Sequence, residues 1–140
     1  MTSPNRYIYV PDKVQPNPAL IVVIHSCQST AQSYSTNSKI PWKGGSDKKG
    51  YITIWPSSPH SGTCWDVSSK RSLSHEGGGD TQAIANMIRY AVPQYKVDPA
   101  KVFVTGGSSG GEFWLRPRVL DSTSGLYFKI RTPPDVYTWI

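Results

Sequence analysis

The alternation of apolar and polar positions predicts an ordered succession of strands and one clear helix over the first 111 residues. Short β-branched or aromatic runs predict strands over residues 6–10, 19–25, 51–55 and 101–105. The second run, ALIVVIH, is apolar throughout, which is typical of a strand buried on both faces of a parallel sheet. Pro11 ends the first run, and we expect that strand at a sheet edge.

The clear helix is predicted to begin at Asp80, a good N-cap residue. Its apolar face is formed at spacings of three and four by Ile84, Met87, Ile88, Ala91 and Tyr95. Pro93 has no amide donor, so the helix should kink or end in its last turn. A short helix is predicted over residues 30–34 and an exposed turn over 44–50. Residues 57–79 form a long irregular stretch, which predicts a functional role, a crosslink or both.

The order of these elements predicts an α/β domain with a largely parallel sheet. The pattern does not continue after residue 111. A helix start at residues 112–115 is stopped by Pro117, and only residues 126–130 suggest another strand. We therefore predict an incomplete α/β domain over residues 1–111 and an aberrant tail over residues 112–140.

Composition and charge narrow the function classes. The chain has 140 residues, room for one domain, and carries 15 Lys and Arg against 9 Asp and Glu. Nucleic-acid surfaces concentrate basic residues, whereas here the densest groups are the pairs Lys48-Lys49 and Lys70-Arg71. We expect a solvated basic surface and no nucleic-acid partner. No apolar run reaches the length of about 18 residues that suggests a membrane helix, and the first residues lack the pattern of a secretory leader.

The two cysteines, Cys27 and Cys64, could form a structural bridge or remain as two buried thiols. No pair has CxxC spacing, and no Cys and His cluster has the spacing of a zinc site. We expect neither a metal nor a cofactor.

A G-x-S-x-G sequence, Gly106-Gly107-Ser108-Ser109-Gly110, directly follows the last predicted strand. Such glycines let a chain turn sharply from strand to helix, which exposes the serine hydroxyl at the carboxyl end of the sheet. The next amide then points at a developing oxyanion. The structural alternative is an ordinary Gly/Ser-rich turn. A second frame, Gly107-x-Ser109-x-Gly111, leaves the choice of serine open.

A second candidate segment, His25-Ser26-Cys27-Gln28, ends the buried strand. In α/β-hydrolases the loop after an early strand supplies the other oxyanion amide. We expect His25 itself to pack and form hydrogen bonds at the strand end.

Seven short segments carry a more specific pattern between residues 6 and 111. They are Tyr7-Ile8-Tyr9-Val10-Pro11, His25-x-Cys27, Tyr51-Ile52-x-Ile54-x-Pro56, Ser61-Gly62-Thr63-Cys64-Trp65-Asp66, Gly77-Gly78-Gly79-Asp80, Ile84-Ala85-Asn86-Met87 and Val102-Phe103-Val104-Thr105-Gly106-x-Ser108-Ser109-Gly110. In this order and spacing the chain resembles the fungal acetylxylan and feruloyl esterases of the first carbohydrate esterase family.

The resemblance implies a secreted serine esterase of α/β-hydrolase fold that removes acetyl or feruloyl groups from plant cell-wall xylan. We expect the protein to be a monomer. It implies Ser108 as the nucleophile and the backbone amides of Cys27 and Ser109 as the oxyanion hole. It also implies a disulfide between Cys27 and Cys64.

The sequence departs from this family after Ser108. An α/β-hydrolase places an acid and then a histidine after the serine. Glu112, Asp121 and Asp135 follow Ser108, but His25, His60 and His75 all precede it. We therefore expect the encoded chain to be inactive, with a rearranged triad through His75 as the alternative. The tail is expected to come from a frameshift or a mispredicted exon.

A competing hypothesis is a non-catalytic carbohydrate-binding or interaction fragment. Trp42, Trp55 and Trp65 would then be sugar platforms. Trp55 lies in a predicted strand and is expected in the core. Trp65 could contact substrate or pack beside the cysteines, and the sequence leaves both open. Acetyl and feruloyl substrates are likewise not distinguished.

Overall fold

The computed structural model describes residues 6–37, 39, 41–72, 74 and 77–111. In these residues four strands form one sheet in the order β1-β3-β2-β4. The strands are β1 (Arg6–Tyr9), β2 (Leu20–Ile24), β3 (Ile52–Pro56) and β4 (Val102–Gly106). β2 pairs in parallel with both β3 and β4, whereas β1 pairs antiparallel with β3. The largely parallel sheet and the edge position of the first strand are confirmed.

Helices cover both faces of the sheet, because alternate strand residues point to opposite sides. They are α1 (Ala31–Ser35), α2 (Trp42–Lys49) and α3 (Asp80–Gln94), with 3-10 turns at Ser61–Thr63 and Pro99–Lys101. One face packs on α3 and its core includes Leu20, Val22, Ile24, Ile52, Ile54, Ile84, Ile88, Ala91, Val102 and Val104. The other packs on α1 and α2 through Val23, Ala31, Tyr34, Trp42 and Trp55. This layered arrangement is an incomplete α/β fold.

The prediction of an exposed turn over residues 44–50 is wrong, because most of that segment belongs to α2. Gly50 ends the helix with a φ of 70°, a conformation that glycine adopts without strain. Ser46 is fully buried and its hydroxyl donates to the carbonyl of Tyr51. The same hydroxyl lies 3.5 Å from Thr53 Oγ1 in β3. These contacts with Tyr51 and Thr53 outweigh the poor helix propensity of the glycines.

The prediction that Asp80 is an N-cap is also wrong. Gly79 occupies the cap, and Asp80 is the first residue of α3. The helix ends one residue after Pro93, as its missing amide donor predicted. The Asp80 carboxylate is therefore available for contacts outside the helix.

Several sequence predictions lie outside the described residues. They are the helix start at 112–115, the strand at 126–130, the aberrant tail over 112–140 and any role of His75. Within the described part of the chain, no helix is both long and apolar enough to cross a membrane.

Candidate active site

The turn after β4 holds Ser108 in an exposed and strained position. Its φ is 50°, in the left-handed region that non-glycine residues rarely adopt. Such a conformation costs about 1–3 kcal/mol and persists only where surrounding contacts impose it. The sharp turn and the exposed hydroxyl predicted from the G-x-S-x-G pattern are confirmed, and the exposed residue is Ser108.

The glycines of this turn let it pack against the end of β2. A Cβ at Gly110 would lie 2.6 Å from the His25 carbonyl oxygen, and one at Gly106 would lie 2.6 Å from the Gly110 carbonyl oxygen. The Gly107 amide donates to the carbonyl of Ile24 at 3.2 Å. Any larger residue at Gly106 or Gly110 would push the turn away from β2, so these contacts fix the place of Ser108.

Ser109 is in a different environment from Ser108. It is buried, and its hydroxyl oxygen lies 3.4 Å from Cys27 Sγ. The backbone N–H of Trp65 donates to the same oxygen at 3.5 Å. Sequence spacing left the two serines equivalent, whereas the geometry favours Ser108 as the accessible hydroxyl.

The disulfide between Cys27 and Cys64 joins the loop after β2 to the long irregular stretch. The two Cα atoms are 4.1 Å apart. The Gln28 amide adds a hydrogen bond to the Gly62 carbonyl at 3.0 Å. The bridge is confirmed, and the thiol alternative is wrong for this structure.

His25 is a neutral, buried imidazole that holds the loop after β2. The Ser58 amide donates to Nε2 at 3.1 Å, so the ring proton is on Nδ1, 2.9 Å from the Ser26 carbonyl oxygen. Burial lowers the pKa of His25 from 6.5, although the bond to Ser26 opposes this shift. The prediction that His25 packs and forms hydrogen bonds at the strand end is confirmed.

The hydrogen bonds at Ser26 also orient the next amide. The Ser26 carbonyl oxygen accepts one hydrogen bond from His25 Nδ1 and another from the Ser29 amide, at 3.3 Å. A trans peptide is planar, so the N–H of Cys27 points opposite to that carbonyl. The direction of the Cys27 N–H is therefore set by His25 and Ser29.

The three tryptophans do not form a row of sugar platforms. Trp55 and Trp65 are only 1% and 4% exposed, and Trp42 is partly buried against the α1 and α2 side of the sheet. The Trp65 indole N–H donates to the His25 carbonyl at 2.8 Å. Trp65 therefore packs beside the disulfide, and its side chain has little exposed surface for a substrate.

A histidine–aspartate pair near the bridge had no clear signal in the sequence. His60 Nε2 lies 2.9 Å from both carboxylate oxygens of Asp80. The Asp66 amide also donates to Asp80, at 2.8 Å. Asp80 is almost buried while His60 is 45% exposed, so the pair fastens the Cys64 loop to the start of α3. Among the described residues, no three His, Cys, Asp or Glu side chains are grouped as metal ligands.

Comparison with known proteins places this geometry in a family. The family profile described as esterase PHB depolymerase matches residues 6–116. The probable acetylxylan esterase A of Aspergillus fumigatus is 53% identical over 104 residues, which are 74% of this chain and 28% of that protein. Acetylxylan esterase A of Talaromyces purpureogenus is also 53% identical over 104 residues, or 74% of this chain and 27% of that protein. The chain thus spans less than a third of either relative.

Solved structures agree with the sequence relatives. The acetyl xylan esterase from Aspergillus awamori superposes with a TM-score of 0.71 at 48% identity, covering 75% of this chain and 38% of that one. A poly(3-hydroxybutyrate) depolymerase from Bordetella parapertussis reaches 0.58 at 18% identity, covering 77% and 38% respectively, and shows the fold alone. The resemblance to fungal acetylxylan esterases is confirmed, and the chain belongs to the esterase PHB depolymerase family.

Proposed function

We propose that residues 6–111 form the nucleophile part of a serine carboxylic ester hydrolase acting on acyl esters of xylan. The observation that carries this proposal is the exposed Ser108, held at a φ of 50° directly after β4. A strand followed by a strained serine turn is the arrangement of an α/β-hydrolase nucleophile. The relatives are named acetylxylan esterases, which supports acetyl esters of xylan as the substrate. Feruloyl esters are the second candidate substrate class.

Ser108 would attack the ester carbonyl carbon while its proton passes to a base. The sugar hydroxyl would leave with a proton, and water would then release the acyl group from Ser108. The N–H groups of Cys27 and Ser109 would donate to the oxyanion. The Cys27 N–H is oriented by the hydrogen bonds at Ser26, and the Ser109 side chain is anchored beside the bridge.

The base is proposed to lie outside these 140 residues. An α/β-hydrolase places its histidine after the serine, and no histidine follows Ser108 in this sequence. Of the histidines that the structure describes, His25 bonds to Ser26 and Ser58 and His60 bonds to Asp80, and neither ring forms a hydrogen bond with Ser108. Without a histidine base the serine hydroxyl is a weak nucleophile at neutral pH. The 140-residue chain by itself should therefore have no significant activity. The disulfide suits an oxidising, extracellular location, where the protein is proposed to act as a monomer.

The nucleophile is tested in a chimera in which residues 6–111 replace the matching segment of the Aspergillus awamori enzyme. Ser108→Ala should lower kcat on acetylated xylan by about 10⁴-fold or more, because triad members act as a unit. Ser109→Ala should retain a substantial part of the activity, because its backbone amide survives the change. The opposite ranking would assign the nucleophile to Ser109.

Inactivity is tested with the 140-residue chain itself. It should hydrolyse an activated aryl acetate no faster than its Ser108→Ala variant. Turnover that depends on Ser108 would contradict the proposal, and would mean that His25, His60 or His75 serves as the base.

A further inference from the structure

The hydroxyl of Tyr34 lies between the two backbone segments that carry the proposed oxyanion amides. It accepts the N–H of Ser26 at 3.2 Å. On its other side, a Cβ built at Gly107 would lie only 2.8 Å from the same oxygen. One phenol oxygen therefore bonds to the residue before Cys27 and fills the space beside the residue before Ser108, where a side chain would otherwise project.

The position of Tyr34 is itself fixed by packing. It lies on α1, whose N-cap Thr30 forms a reciprocal capping box with Ser33. The phenol ring packs with the cluster formed by Val23, Ala31 and Trp55, and meets the His25 ring edge-on at 6.1 Å. A ring held by such contacts can act as a rigid spacer.

The lack of a side chain at Gly107 leaves room for the Tyr34 hydroxyl. The φ of Gly107 does not require glycine, so an alanine would be allowed by the backbone, but the alanine methyl group would meet the Tyr34 oxygen. The same methyl would be 4.0 Å from Tyr34 Cζ, an ordinary contact. The clash is therefore with the hydroxyl alone, so Gly107 is needed because Tyr34 carries that hydroxyl.

We propose that Tyr34 is a positioning residue that sets the separation of the loop after β2 from the nucleophile turn. This inference rests on the proposed function, because the amides it aligns are those of Cys27 and Ser109. The Tyr34 hydroxyl bonds to Ser26, and the peptide after Ser26 carries the Cys27 N–H. Loss of the hydroxyl leaves the Ser26 amide without this acceptor and lets the two segments shift.

The first test uses the 140-residue chain and needs no activity. Amide hydrogen exchange of Ser26 should become at least several-fold faster in Tyr34→Phe. Tyr51→Phe is the matched control, since it also removes a tyrosine hydroxyl bonded to a backbone group, at Trp42. It should leave the exchange of Ser26 unchanged. Equal exchange rates in Tyr34→Phe and the unmodified chain would overturn the proposal.

The second test uses the chimera described above and separates catalysis from binding. Tyr34→Phe should lower kcat by about ten- to a hundredfold with KM nearly unchanged, because misplaced donors weaken transition-state binding. Tyr51→Phe should leave both parameters unchanged. Normal kcat in Tyr34→Phe, with Ser108 still essential, would overturn the role of Tyr34 while leaving the esterase proposal intact. If Ser108→Ala were fully active, the proposed function itself would fail.

The third test is a double-mutant cycle. Gly107→Ala should lower kcat when Tyr34 is present and have little further effect in the Tyr34→Phe background, because the clash is with the hydroxyl. A loss of the same size in both backgrounds would show that Gly107 and Tyr34 act independently, contrary to the proposal.

Discussion

His25 shows how strongly the site depends on one buried side chain. Its Nε2 accepts the Ser58 amide and its Nδ1–H donates to the Ser26 carbonyl. An imidazolium has no lone pair to accept the Ser58 N–H, so protonation would break that contact. The lowered pKa of His25 expresses this preference for the neutral ring, and burial is its largest cause.

Stability should therefore fall in mild acid. Above pH 6.5, the ordinary histidine pKa, His25 is mostly neutral in both the native and unfolded chains. Below it, the unfolded chain binds the proton more readily than the native chain. The free energy of unfolding then decreases as the pH falls toward the lowered native pKa, and this contribution stops changing below that value.

The measurement is urea unfolding over a series of pH values for the unmodified chain and for His25→Asn. The asparagine amide can still donate toward Ser26 but does not titrate. The variant should lose part of the decrease in stability below pH 6.5. Parallel pH curves for the two proteins would contradict a neutral buried His25.

The helix α2 illustrates how an element can form against its local propensity. Gly44 and Gly45 are adjacent in this helix but have different surroundings. A Cβ at Gly44 would find only Pro41 Cβ, at 3.9 Å, whereas Gly45 lies beneath the Tyr51 hydroxyl, which donates to the Trp42 carbonyl at 3.0 Å. One glycine is therefore replaceable and the other is required by packing.

Substitution of these two glycines by alanine should have opposite effects. Gly44→Ala should stabilise the chain by about 0.5–1 kcal/mol, because alanine loses less backbone entropy in a helix. Gly45→Ala should destabilise it by about 1–3 kcal/mol, because the methyl would displace Tyr51. Urea unfolding of both variants measures the difference. Equal effects would mean that the contact between Gly45 and Tyr51 does not hold α2 on β3.

For the whole molecule, the bridge between Cys27 and Cys64 joins distant parts of the chain at the carboxyl end of the sheet. The cysteines are 37 positions apart in sequence. Three further contacts surround the bridge. The Ser58 amide donates to the His25 ring, and the Trp65 indole N–H donates to the His25 carbonyl. The Ser109 hydroxyl lies beside Cys27. The loop after β2, the irregular stretch and the nucleophile turn therefore form one connected structure.

Loss of the bridge should lower the free energy of unfolding by about 3–4 kcal/mol, the chain-entropy value for a loop of this size. Urea unfolding of the oxidised and reduced chains measures the change. The Cys27→Ser, Cys64→Ser double variant is the control and should match the reduced chain. Alkylation of two thiols in the unreduced, unfolded protein would contradict the bridge.

The sequence alone was sufficient for the features that depend on neighbouring residues. Strands β1 to β4 were predicted to within one residue at either end, because apolar runs of strand length are a local signal. The sharp turn after β4 was predicted because glycines and serines follow the strand directly, although the spacing left the choice of serine open. The pairing of Cys27 with Cys64 came from the family resemblance, since spacing alone allowed free thiols.

Only the tertiary structure decided the features that depend on residues far apart in sequence. α2 forms because hydrogen bonds of Ser46 and Tyr51 hold it beside β3. The Asp80 carboxylate forms hydrogen bonds with His60 and with the Asp66 amide and does not cap α3. The burial of Ser109 beside Cys27 distinguished the two serines. The place of Tyr34, between Ser26 and Gly107, likewise has no sequence signal. Each of these is a contact between segments that only the folded sheet brings together, so neither spacing nor propensity could predict it.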